Sequence, residues 1–191
     1  MDVDLKVGDL LDETADAILV SANPQLNLSG GVGGAILQRG NGSVQEELRE
    51  HLRRLHAHHV PPGTVVESSA GNLHARVLLH CVAVDGFYGS SPSLVSTVVA
   101  AALRRAVELG CRTVAMPALA TGYGPLSMSE FVQGLGAALA SLDLPLERLT
   151  VVVRKEDDLE ELHRVLDRPA SRTLFRPVGL HEMVLIAEAD D

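Results

Sequence analysis

The sequence predicts an α/β protein, a three-layer α/β/α sandwich around a mixed, largely parallel sheet. Three observations predict it. Short apolar runs recur along the 191 residues and alternate with stretches whose apolar residues fall at helical spacing. Several runs are apolar on successive residues, among them Ala17-Ile18-Leu19-Val20 and Val77-Leu78-Leu79, as strands buried on both faces are. Two glycine-bearing turns sit at strand ends and lead towards helices, where open α/β sheets bind their ligands.

Taken in order, Val3 to Val7 sets Val3, Leu5 and Val7 against Asp4 and Lys6, a half-buried strand ended by Gly8-Asp9. Asp16 to Ser21 is the next strand. Beyond Asn23-Pro24, Asn27 to Gly34 is a loop containing Ser29-Gly30-Gly31-Val32-Gly33-Gly34, and a helix is expected from Ala35. After Asn41-Gly42, Ser43 and Glu46 form a capping box for a helix from Val44 to about His58, with Val44, Leu48, Leu52 and Leu55 as its apolar face. Pro61-Pro62-Gly63 turns the chain into a strand over Thr64 to Ser68, and a strongly apolar strand follows over Arg76 to Val84. The loop Asp85 to Ser90 precedes a helix opened by Ser91-Pro92 and stopped by Gly110. Thr113 to Met116 is a short strand that enters the second glycine-bearing turn, Pro117 to Pro125. Ser127 and Glu130 make a capping box for a helix to about Ser141. Arg148 to Val153 is a strand and Glu156 to Leu166 a helix. A last strand is expected over Met183 to Ala187.

By size the chain is one domain, residues 1–167, with an extension over 168–191 whose role the sequence leaves open. Apolar residues make up 46% and charged residues 21%, enough for an ordinary core. No run approaches the roughly 20 apolar residues that span a bilayer. The N-terminus has no long apolar region, so a cytoplasmic location is expected. Cys81 and Cys111 lie in apolar runs and read as buried free thiols. The net charge of −9 disfavours broad nucleic-acid binding, and aromatics at 3% with no Trp leave few platforms for stacking bases. No cofactor and no metal site is implied. His51, His56, His58 and His59 read as a solvated helix end, and His80 as a satisfied core histidine.

Four glycines within Gly30 to Gly34 exceed what a tight turn needs. Such a turn before a helix offers main-chain N–H groups and the positive end of the helix dipole, a phosphate-binding loop. On an acidic chain, an anion would be held mainly by oriented amides.

Four pieces, in this order, resemble the macro domain, the ADP-ribose-binding module. They are Val7-Gly8-Asp9-Leu10; Ala17 to Asn23 leading to Gly30-Gly31-Val32-Gly33-Gly34-Ala35-Ile36; Val77-Leu78-Leu79-His80-Cys81-Val82; and Met116-Pro117-Ala118-Leu119-Ala120-Thr121-Gly122-Tyr123-Gly124. The resemblance covers roughly Val3 to Leu166. It implies that Asp9 accepts from the adenine amino group with the Leu10 amide nearby, and that Asn23 contacts the distal ribose. It also implies that Ser29, Gly30, Gly31, Val32 and Gly33 wrap the diphosphate and distal ribose. Ala120, Thr121, Gly122, Tyr123 and Gly124 would close over the phosphates from the other side.

The chain departs from the family pattern in four places. Hydrolytic members of one subclass carry Asp where this chain has Gly33. Ser21 replaces an Asn. Ala120 stands where Ser or Gly is common, and Arg154-Lys155 stands where many members stack an aromatic on adenine. Gln45-Glu46-Glu47 resembles the Gln-Glu-Glu of poly(ADP-ribose) glycohydrolases only superficially, since it lies beyond Asn41-Gly42. The resemblance therefore implies binding of ADP-ribose, free or on protein, with little hydrolysis. The alternatives are an ADP-ribosyl hydrolase acting on ester-linked ADP-ribose or O-acetyl-ADP-ribose, and a nucleotide- or RNA-interacting module on the same fold.

Overall fold

The computed structural model describes residues 1–40, 42–166, 175–177 and 182–185. The elements run β1 (Asp2–Val7), a 3-10 turn (Leu10–Asp12), β2 (Ala17–Ala22), α1 (Gly31–Arg39), α2 (Ser43–Arg54), β3 (Val65–Ser69), β4 (Val77–Val82) and α3 (Pro92–Glu108). They continue with β5 (Thr113–Pro117), α4 (Met128–Ala140), β6 (Arg148–Val153), α5 (Glu156–Leu166), β7 (Phe175–Pro177) and β8 (Glu182–Leu185). No described helix is long and apolar enough to cross a membrane.

The sheet has the order β3-β4-β2-β5-β6-β1-β8-β7. The five strands from β4 to β1 are parallel, while β3 and the β8-β7 pair run antiparallel at the edges. This is the mixed, largely parallel sheet the sequence predicts. The antiparallel β8-β7 edge comes from the 168–191 stretch, where β8 pairs Asp2 with Val184 and Val3 with Met183.

Alternation along the strands sorts the core into two halves. Ala17 and Leu19 of β2, with Leu79, Cys81, Met116 and Val151, face α3, α4 and α5. Ile18 and Val20, with Leu78, Val66 and Val82, face α1, α2 and the 3-10 turn. Both faces are covered, so strands apolar at every position are stable here. Where α3 meets α4, Gly134 has no room for a side chain: a Cβ there would stand 2.5 Å from the Pro92 carbonyl oxygen.

One detail of register opens the site. β2 pairs with β4 over six residues, from Ala17↔Val77 to Ala22↔Val82. It pairs with β5 at only two, Ala17↔Val114 and Ile18↔Ala115. Beyond Ile18 the two strands part. The chain leaves β2 towards β3 and β4, and leaves β5 towards β6. The gap therefore lies at a reversal of connection direction, where such sheets bind ligands.

Several local expectations need correction. The Ser43–Glu46 capping box is absent: Gly42, in the left-handed region at φ 77, occupies the N-cap and Ser43 is already helical. Glu46 instead pairs with Arg49 and Arg53 on the surface. α2 stops at Arg54, short of His58, because His56 turns left-handed (φ 50) and closes a Schellman cap. Its N–H donates to the Arg53 carbonyl and that of Ala57 to the Leu52 carbonyl. Leu55 is consequently exposed, outside the apolar face. Gly31 to Gly34 form the first turn of α1 rather than a loop before it. The last strand is described over Glu182–Leu185, residues 186 and 187 of the expected strand lying outside the described residues, and β7 and the 3-10 turn are additional. The Ser127–Glu130 capping box and Pro92 at the start of α3 are both present.

Candidate ligand-binding site

A cavity of about 870 Å³ lies at the carboxyl ends of β4, β2, β5 and β6. The loop after β2 forms one wall and the loop after β5 the other.

The first loop is fixed from beneath. The Asn23 side chain accepts from the Asn27 N–H (3.1 Å) and donates to the Asn27 carbonyl (3.0 Å). Leu26 and Leu28 are buried in the core between α1, α2 and the sheet. Gln45 of α2, itself buried, grips the main chain between them: its Oε1 accepts from Leu28 N (2.8 Å) and its Nε2 donates to Leu26 O (3.0 Å). Gly30 caps α1 at φ 61, a conformation suited to glycine. The N–H groups of Ser29, Gly30, Gly31, Val32 and Gly33 have no acceptor among the described residues; the first internal bond of α1 runs from Gly34 N to Gly30 O (2.8 Å).

The second loop is held by its own backbone. Leu126 N donates to the Ala120 carbonyl (3.1 Å) and the Thr121 hydroxyl donates to the Ala118 carbonyl (2.9 Å). Gly124 packs so tightly that a Cβ would overlap the Ala120 carbonyl oxygen. The N–H groups of Thr121, Gly122, Tyr123 and Gly124 likewise have no acceptor among the described residues. Tyr123 leans over Gly30, where an added Cβ would lie 2.8 Å from the tyrosine hydroxyl oxygen. The two loops thus meet above the cavity.

Of the four non-glycine residues with positive φ among the described residues, three line this cavity: Leu26 (53°), Tyr88 (63°) and Ala120 (61°). Strained backbone concentrates where a fold holds a functional geometry. The electrostatics favour an anion. The residues that carry both sets of open amides, including those at the N-terminus of α1, line the space. Arg154 and Lys155 line the β6 end, and Asp158 is the one acidic residue among the lining side chains.

Eleven of the thirteen sequence-assigned residues line the cavity: Asn23, Ser29, Gly30, Gly31, Val32, Gly33, Ala120, Thr121, Gly122, Tyr123 and Gly124. Asp9 and Leu10 do not. The Asp9 carboxylate accepts from Leu11 N (3.0 Å) as cap of the 3-10 turn and pairs with Arg39 (3.2 Å), while Leu10 is buried. Asn23 lines the space, but its amide already braces the loop; each of its polar atoms retains capacity for a second bond. At Gly33 a Cβ would press on Leu28 Cα at 3.2 Å, so the main chain crowds the position where a carboxylate would have to enter.

Glu46 and Glu47 stand away from the cavity, Glu47 accepting from the Ser69 N–H (2.7 Å) and hydroxyl. His80 is only half satisfied. Its Nε2 meets Ser68 Oγ at 2.9 Å, and its Nδ1 has no partner among the described residues. Burial lowers its pKa to about 4, against an opposing pull from Glu47. Cys81 and Cys111 are free and buried, and burial pushes the Cys81 thiol up to about 12, so it is no nucleophile. Sequence reasoning missed Gln45 as a brace, and Ala83, Val84, Tyr88 and Asp158 as lining. Nothing local marks Gln45, because its partners lie 17 and 19 residues away.

Comparison with known proteins identifies the family and the fold. Residues 20–134 match the family model described as Macro domain. An uncharacterised protein of Pyrobaculum aerophilum is 42% identical over 88% of this chain and 92% of its own. A macro domain-containing protein of Streptomyces griseus is 32% identical over 83% of this chain and 91% of its own. Among solved structures, a mutant Oceanobacillus iheyensis macrodomain with ADPR superposes at a TM-score of 0.75, with 22% identity over 86% of this chain and 91% of that one. A Trypanosoma brucei macrodomain in complex with ADP-ribose gives 0.73, with 23% identity over 86% of this chain and 68% of that one. By the family match and by identity to its relatives, this chain belongs to the macro domain family.

Proposed function

We propose that this chain binds ADP-ribose, free or attached to protein, and hydrolyses it little. The observation that carries the reading is the pair of opposed loops with nine main-chain N–H groups lacking an acceptor among the described residues, Ser29 to Gly33 and Thr121 to Gly124. A diphosphate between them accepts from both sides, in a site that the net charge of −9 would otherwise make hostile. The base lies towards β6, where Arg154 offers a planar cation for stacking. The terminal ribose lies towards β2 and β4, near Asn23 and Tyr88. ADP-ribose-bound macrodomains of the same fold support the ligand class.

The low hydrolysis follows from chemistry. Activating a water needs a base within hydrogen-bond reach of it. Neither loop carries a carboxylate, Gly33 is crowded by Leu28, and Asp158 stands beside Arg154 and Lys155 at the base end. Hydrolysis of ester-linked ADP-ribose or O-acetyl-ADP-ribose therefore remains the second reading. Two free buried thiols suit a reducing compartment such as the cytoplasm. Isothermal titration with ADP-ribose tests the binding: a stoichiometric heat at micromolar ligand is expected, and no heat at high micromolar ligand contradicts it. Incubation with ester-linked ADP-ribosylated protein tests the rest, with release no faster than the uncatalysed rate expected.

A further inference from the structure

The chain has five aromatic residues, two Tyr and three Phe, and no Trp. Only Phe131 is part of the described core. Three others stand at the cavity mouth or beside it: Tyr123 at 77% exposure, Tyr88 at 51% and Phe87 at 96%. A chain this poor in aromatics would be expected to spend them on its core.

The loop that presents Phe87 and Tyr88 is built, not slack. The Asp85 carboxylate accepts from the N–H of Phe87 (2.8 Å) and of Gly89 (2.7 Å). Asp85 N donates to the Gly89 carbonyl (2.8 Å), and Tyr88 N to the Asp85 carbonyl (3.1 Å). The Ser90 hydroxyl ties the loop to the Ala83 carbonyl (2.6 Å). Gly89 is closed in: a Cβ there would lie 2.8 Å from the Asp85 carboxylate. Tyr88 is held left-handed at φ 63, a costly state for a bulky residue. The fold thus pins a strained turn whose effect is to hold a phenyl ring in water.

Its place says what the ring meets. The loop follows β4, while Arg154 and Lys155 follow β6, three strands further along the sheet, beyond β2 and β5. On the reading of the cavity proposed above, on which this inference rests, the β4 end holds the terminal ribose. A group attached to that ribose leaves the cavity across Tyr88 and Phe87.

We propose that Phe87 and Tyr88 form a docking rim for the polypeptide that carries the ADP-ribose, so that the domain prefers modified protein to the free nucleotide. Exposed aromatics on a hydrogen-bonded loop beside a specific pocket are the kind of side chain that dominates protein interfaces. The acidic charge disfavours a nucleic acid in the same place.

The test compares free ADP-ribose with a synthetic peptide joined to its terminal ribose through a non-hydrolysable linkage. Wild type and Phe87→Ser are both titrated, and Tm confirms that the variant folds. The rim requires wild type to bind the modified peptide more tightly than the free ligand. Phe87→Ser should weaken the peptide by roughly tenfold and leave free ADP-ribose within about twofold, and Phe87→Leu should restore part of the loss. Equal affinities for the two ligands in wild type, or an unchanged peptide affinity in Phe87→Ser, overturn the rim while leaving the cavity reading intact. A wild-type dimer abolished by Phe87→Ser also overturns it, since a second copy then occupies the surface. Failure of wild type to bind free ADP-ribose overturns both.

Discussion

Replacing Gln45 with leucine tests whether the first loop is set from outside itself. The two side chains are close in volume, so the change removes hydrogen bonds with little change in packing. Leu28 N and Leu26 O both lose their partner in a buried setting. A buried polar group left unsatisfied costs about 1–3 kcal/mol, and two of them about 2–6 kcal/mol before water or loop movement recovers part. We expect about 3 kcal/mol of lost stability, a fall in Tm of roughly 10 °C for a chain of this size. The expected consequence for ligand is a weaker complex, because Ser29 to Gly33 are no longer held in one arrangement. Urea unfolding with and without ADP-ribose measures both. Glu46→Gln, two exposed ion pairs on the same helix, is the control and should leave Tm unchanged. A Gln45→Leu protein as stable as wild type, with equal affinity, would refute the reasoning.

Gly124→Ala should drive the second loop out of place, because the new methyl overlaps the Ala120 carbonyl; affinity for ADP-ribose should fall more than tenfold by calorimetry while the capping box of α4 survives. Acid should expose the buried histidine. His80 has a folded pKa of about 4 against an ordinary 6.5, so below pH 6.5 the unfolded chain binds a proton that the native state refuses. Stability is therefore lost as pH falls, by about 2 kcal/mol at pH 5 and about 3 kcal/mol once both states are protonated below pH 4. His80→Phe should reduce the difference in unfolding free energy between pH 7 and pH 5 by about 2 kcal/mol, and an unchanged difference would show that His80 is not the group responsible. Arg154→Ala should weaken ADP-ribose more than ribose 5-phosphate, which has no base, in parallel titrations.

The sequence carried the fold wherever a local signal had a single meaning. Runs such as Ala17 to Val20 have no polar face, so only a strand covered on both sides fits them. Ser127 and Glu130 form their box because no residue competes for the cap. Ser43 and Glu46 have the same spacing, but Gly42 takes the cap one residue earlier and leaves Ser43 inside the helix. The end of α2 was hidden for the opposite reason: His56 adopts the left-handed cap that glycine normally signals. Four glycines masked the first turn of α1, because low helix propensity is outweighed there by packing of Gly33 and Ile36 beneath it. In the site, glycine spacing located both loops. The pairing of Asp9 with Arg39 and the grip of Gln45 on Leu26 and Leu28 depend on residues 30 and 17 to 19 positions away, which no local pattern contains.

Titration of the isotope-labelled protein with ADP-ribose, followed at each amide, bears most directly on what holds the ligand. If main-chain nitrogens grip the diphosphate, the amide protons of Gly30, Gly31, Val32, Gly33 and of Thr121 to Gly124 should shift downfield together, and the shifts should saturate at one equivalent. Inorganic pyrophosphate should move the same amides at higher concentration. Shifts confined to other residues, with these amides unmoved at saturation, would contradict it.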